Sequence, residues 1–71
     1  MERTPVSSSN LRSVGYDPNE ETLEIEFHSG GTYQYYGVPL QKYEGLMSAS
    51  SKGSYFDAYI KKAGYRYRKV R

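Results

Sequence analysis

Between residues 22 and 29 the chain alternates without a break: Leu23, Ile25 and Phe27 fall on one side of an extended backbone, and Glu24, Glu26 and His28 on the other. A period of two marks a strand half-buried on a core. Ser29-Gly30-Gly31 follows as a tight hairpin signal, because glycine tolerates the positive φ such turns need. The next segment, Thr32–Val38, alternates again, with Tyr33 and Tyr35 on one face and Thr32, Gln34 and Tyr36 on the other. If Leu23, Ile25 and Phe27 face a covering layer, their neighbours Tyr33 and Tyr35 face it too, which leaves Tyr36 the more exposed ring. Upstream, Leu11–Asp17 reads as a first strand with Val14 and Tyr16 on one face, closed by Asp17-Pro18-Asn19 turn chemistry. These segments predict a three-stranded antiparallel meander.

Pro39 changes the period. Leu40, Tyr43 and Leu46/Met47 recur at helical spacing, and proline suits the first turn of a helix. The serines of Ser48–Ser51 break that run and offer an N-cap. A second helix is expected from about Lys52 to Lys62, with Tyr55, Phe56, Tyr59, Ile60 and Ala63 on its apolar face and Gly64 at its end. The tail, Tyr65 to Arg71, alternates once more and can supply a C-terminal edge strand. The fold class is α+β: a three-stranded antiparallel meander followed by two short helices and that edge strand. Residues 1–8 are polar and serine-rich and are expected to fray, leaving residues 9–71 as a single domain.

A chain of 71 residues buries only about 60% of the surface its unfolded form exposes, and such domains often add disulfides or zinc. This one has no cysteine and one histidine, so disulfides, cysteine-based zinc sites and thiol chemistry are excluded. Its core must come from packing. With nine tyrosines, two phenylalanines and no tryptophan, several tyrosines must fill that core and turn their hydroxyls to water or to a hydrogen-bond partner. No apolar run is long enough to span a membrane, and the first residues lack the apolar stretch of a secretory signal, so a cytoplasmic protein is expected.

The net charge of +2 says little, but its distribution says more. Residues 1–46 hold three Lys or Arg against seven Asp or Glu; residues 47–71 hold seven against Asp57 alone. The C-terminal third can therefore attract polyanions. In an extended tail, Tyr65 and Tyr67 project opposite to Arg66 and Arg68; rings so placed can stack bases while cations neutralise phosphates. The competing reading is an edge strand with tyrosines packed inward and solvated cations that deter edge pairing. Ser51-Lys52-Gly53-Ser54 opens the second helix and could hold a phosphate, but the strong N-cap preference of serine favours a cap beside a solvated lysine.

Catalysis finds little footing. Glu24, Glu26 and His28 share one strand face, and such a row could hold a divalent metal, yet polar residues on a solvent face look like this by default. The lone histidine has no evident nucleophile to pair with. No cofactor, metal or catalytic residue is expected.

The ordered set Val14-Gly15-Tyr16-Asp17, Leu23-x-Ile25-x-Phe27, Gly31-x-Tyr33-x-Tyr35, Val38-Pro39, Tyr43, Ser51-Lys52-Gly53, Phe56-Asp57, Ile60 and Tyr65-x-Tyr67 resembles the KTSC domain. The likeness runs from about Ser8 to Val70. That domain occurs at the C-terminus of some lysyl-tRNA synthetases and as a short stand-alone protein in bacteria and phages. It has no established activity; its synthetase context implies RNA as a partner. Asp57 departs from the Asn expected after the phenylalanine, and an ionised Asp can only accept where Asn also donates. The combined expectation is a non-catalytic module binding RNA, tRNA-like or single-stranded. Lys52, Lys61, Lys62, Arg66, Arg68, Lys69 and Arg71 would hold the backbone, with Tyr65 or Tyr67 stacking. The alternative is a protein-interaction module using the sheet face or exposed tyrosines. The RNA reading requires the cations to converge on one surface with at least one ring uncovered among them.

Overall fold

The computed structural model describes all of residues 1–71. Five strands, β1 (Arg3–Pro5), β2 (Leu11–Asp17), β3 (Thr22–Phe27), β4 (Thr32–Tyr36) and β5 (Arg66–Lys69), form one antiparallel sheet in sequence order. Two helices, α1 (Leu40–Ser48) and α2 (Lys52–Tyr59), and a single 3-10 turn (Lys61–Ala63) lie between β4 and β5. The α+β class and the C-terminal edge strand hold as expected, and the meander gains a strand at its start.

That extra strand corrects the expectation that residues 1–8 fray. Arg3, Thr4 and Pro5 pair with Gly15, Val14 and Ser13, and Val6 N–H donates to the Arg12 carbonyl at 3.1 Å. Gly15 makes the pairing close. A Cβ there would stand 2.6 Å from the Glu2 carbonyl and 2.9 Å from Arg3 Cγ. The bare backbone lets Arg3 reach across β2 to Glu24 on β3, 3.5 Å away, and to Thr32 on β4 at 3.4 Å.

The helices cover one face of the sheet. Leu11, Val14, Leu23, Ile25 and Tyr35 meet Val38, Leu46, Phe56 and Ile60 there in the buried core. A register shift between Leu11 and Ser13 inserts Arg12 as an extra residue, so Leu11 and Val14 point the same way although three positions apart. Tyr16 stacks on Tyr43 with centroids 4.8 Å apart and donates its hydroxyl to the Val38 carbonyl at 2.5 Å, tying β2 to the start of α1. Burial raises the Tyr16 pKa, with smaller contributions from Glu21, Asp17 and the Tyr65 phenol. Asp17 Oδ1 accepts from the Asn19 and Glu20 amides, the turn its sequence promised.

The first helix spans the residues its spacing marked, whereas the second is shorter than its spacing suggested. Ser51 caps α2, accepting from Ser54 N–H at 3.4 Å, but the helix ends at Tyr59 instead of Lys62. Ile60 leaves helical geometry with φ −115° and is fully buried, and a 3-10 turn then runs to Gly64 at φ +88°. Phe56 and Ile60 are the buried residues of this segment, and Tyr55 packs partly against the core. Tyr59 and Ala63, expected on the buried face, are exposed, as is Leu40 at the start of α1.

Candidate nucleic-acid interface

The outer face of the sheet carries two separate sets of polar contacts. Ser13 Oγ donates to Glu26 at 2.8 Å, Gln34 Nε2 donates to Glu24 at 2.8 Å, and the Tyr36 hydroxyl donates to Gln34 Oε1 at 3.1 Å. Glu24, Glu26 and His28 do not converge on a metal geometry. Each is engaged elsewhere, Glu24 by Arg3 and Gln34, Glu26 by Ser13, and His28 at the Ser8 carbonyl, 3.0 Å from Nε2.

β5 decides where the C-terminal cations go. It pairs only with β4, setting Arg66 opposite Tyr36, Tyr67 opposite Tyr35, Arg68 opposite Gln34 and Lys69 opposite Tyr33. Side chains on one strand alternate faces. Arg66 and Arg68 therefore join the outer polar face, and Tyr67 and Lys69 the helix side. Arg71 also lies outside, lining a shallow hollow with Arg3 and Glu24. The expected single basic surface is thus divided in two by the strand that bears it.

The remaining expected residues separate further. Lys52 turns back on its own chain, Nζ donating to the Ala49 carbonyl at 3.1 Å. Lys62 pairs with Asp57 at 3.2 Å in an exposed ion pair. Tyr65 is half-buried against the core at the Tyr16 end, which leaves less of its ring free to stack than Tyr67 has. Lys61, Lys69 and Tyr67 do come together. Lys61 and Tyr67 line one groove of about 460 Å³ floored by Phe27, Tyr33, Tyr35 and Phe56. Lys69 borders it, its Cε running past Gly31 beside the Tyr33 ring.

This groove is the feature that sequence reasoning missed. Its walls are aromatic contacts: Phe56 meets Phe27 and Tyr35 edge-on at 5.5 and 5.3 Å, Phe27 meets Tyr33 at 5.7 Å, and Tyr67 lies 5.5 Å from Tyr35 and 6.2 Å from Tyr33. Tyr35 is 6% exposed and Tyr67 63%. Burial, then the neighbouring phenols of Tyr67 and Tyr33, pushes the Tyr35 pKa up to about 12. An open ring, braced from below by buried and half-buried ones and flanked by two lysines, offers a π-face to a planar ligand and charge to an anion beside it.

The KTSC domain model matches residues 7–67, and the chain belongs to the KTSC domain family. The crystal structure of a KTSC domain protein from Yersinia pestis is 50% identical, with a TM-score of 0.93, and the alignment covers 99% of this chain and 97% of that one. An uncharacterized protein of Stutzerimonas stutzeri is 43% identical over 70 residues, 99% of each chain. A lysine–tRNA ligase of a Nostoc species is 45% identical over 53 residues, which are 75% of this chain and 9% of the ligase. The same domain thus stands nearly alone in the first two proteins and forms a small part of an enzyme in the third. No helix here is long and apolar enough to cross a membrane.

Proposed function

We propose that this domain is a small non-catalytic module that binds RNA at the aromatic groove along β5. One observation carries the reading: Tyr67, largely uncovered, is held against the buried ring of Tyr35 and the half-buried ring of Tyr33, with Lys61 and Lys69 beside it. Stacking on such a ring is tolerant of sequence, and lysines at its margin neutralise phosphates. Arg66 and Arg68 lie on the other face of the same edge strand, so the convergence of all the cations is not met and the reading narrows to Tyr67, Lys61 and Lys69. The 45% identity to part of a lysine–tRNA ligase, an enzyme named for a tRNA substrate, supports the choice of RNA.

The alternative, a protein-interaction module, rests on the exposed rings of the helical layer. Tyr59 is 51% and Leu40 46% exposed. Lys42 lies 5.2 Å from the Tyr59 ring centroid, however, and no groove opens there, so this surface gives a partner less to grip.

A filter-binding titration against tRNA and single strands at two salt concentrations tests the reading. Micromolar binding that weakens steeply with salt supports it. Absence of binding at low salt and micromolar protein removes it.

A further inference from the structure

The aromatic groove does not stop at Phe56. A second hollow of about 390 Å³ shares Phe27, Ser29, Phe56 and Lys61 with it, and a third of about 460 Å³ shares Ser9, Asn10, Gly53 and Asp57 with the second. The three make one furrow. It runs from Tyr67 past Lys61 to the mouth of α2, between the Ser8–Asn10 loop and the helix. Its character changes along the way, from aromatic rings to polar groups, with Lys61 and Lys52 as cations on its walls and Asp57 as its one carboxylate. Gly53 keeps the passage open: a Cβ there would already touch the Asn10 amide at 3.5 Å.

Asp57 constrains what can lie in this furrow. Only its Oδ2 is engaged, by Lys62 across an exposed pair that water screens. A carboxylate facing the channel disfavours a phosphodiester close to it, even with Lys52 and Lys61 on the walls, so a nucleic-acid backbone is better placed away from the floor at Asp57. It can follow the rim, where Lys61 and Lys69 lie, if the bases turn inward. A duplex offers the reverse arrangement, with phosphates outward and bases stacked away. Resting on the RNA reading above, we propose that the furrow takes single-stranded RNA. One base stacks on Tyr67 at the aromatic end, and another further along the strand presents its pairing edge to Asp57. Guanine suits that second position best. Its N1–H and N2–H are adjacent donors matching the two oxygens of one carboxylate, whereas the single imino donor of uracil sits between two acceptors that a carboxylate repels.

The test is fluorescence anisotropy with three labelled probes: a short uridine strand, the same strand with one guanosine, and a hairpin duplex. The guanosine strand should bind tightest and the duplex weakest. Tyr67→Ala, at an exposed position that does not hold the fold, should weaken both single strands about tenfold. Asp57→Asn should erase the guanosine preference and strengthen duplex binding. Equal affinity for duplex and single strand, or unchanged binding by Tyr67→Ala, would overturn the furrow as the site while leaving RNA binding intact. A guanosine preference that survives Asp57→Asn would overturn the role of the carboxylate. Failure to bind any of the three probes removes the RNA reading itself.

Discussion

Tyr35 and Tyr67 face each other across the last pair of strands, centroids 5.5 Å apart and planes inclined by 30°, yet one is 6% exposed and the other 63%. The core and the candidate binding surface therefore meet in a single cross-strand pair. The buried ring is fixed by Phe56 at its other side, and it fixes the open one. A ring held this way gives up little freedom when a base stacks on it, which favours affinity.

The buried member of that pair should make the fold sensitive to alkali. Tyr35 keeps its proton to about pH 12 when folded, while the unfolded phenol releases it near 10. Between those values the native state binds more protons than the unfolded one, so stability falls as pH rises; below 10 this group contributes no slope. The full loss is on the order of 3 kcal/mol, large for so small a domain. Urea melts across that interval should show the decline, and Tyr35→Phe should flatten it.

Gly45 sets two effects of opposite sign against each other. Alanine is worth about 1 kcal/mol over glycine inside a helix. A Cβ at this position, however, runs into the Tyr55 ring, with Cζ only 2.7 Å away, and would push that ring off α1 and away from Tyr59. Gly45→Ala should therefore lower stability by about 1 kcal/mol net, since overpacking typically costs 1–3. In a Tyr55→Ala background the same change should become stabilising. Denaturant melts of the four proteins in this cycle decide it.

At Gly15 the obstacle is backbone rather than a ring. Gly15→Ala should lift β1 from the sheet, because the Glu2 carbonyl stands 2.6 Å from the new methyl and only a three-residue edge strand holds it there. The contacts from Arg3 to Glu24 and Thr32 go with it. Amide exchange should show lost protection along β1, with a stability cost of about 1–2 kcal/mol. Removing residues 1–5 should make the substitution close to neutral.

β3 and β4 were legible because apolar and polar residues alternate along them, and β2 because Val14 and Tyr16 keep that period past the bulge at Arg12. β1 was not, since Arg3-Thr4-Pro5 is polar, short and bears a proline, and its place is set by the bare backbone of Gly15 on the neighbouring strand. Helical spacing gave α1 and α2 but overran α2, because nothing local in Tyr59-Ile60-Lys61 announces that Ile60 must turn into the core. The charge excess of the C-terminal third was plain in the sequence. Its division between two faces was not. That depends on β5 being an edge strand in a register that puts Lys69 with Tyr67 and leaves Arg66 and Arg68 behind. Nor could spacing join Phe27, Phe56 and Tyr67, which only the packing of α2 on the sheet brings together.

The central claim is that RNA meets the open phenol of β5 and the two lysines beside it. An NMR titration of isotope-labelled protein with a short single-stranded RNA reads this residue by residue. The largest shifts should fall on Tyr67, Tyr33, Phe56, Lys61 and Lys69, with the Tyr67 ring protons moving upfield as a base stacks. Shifts confined to α1 and Tyr59, or none at saturating RNA, would contradict the account.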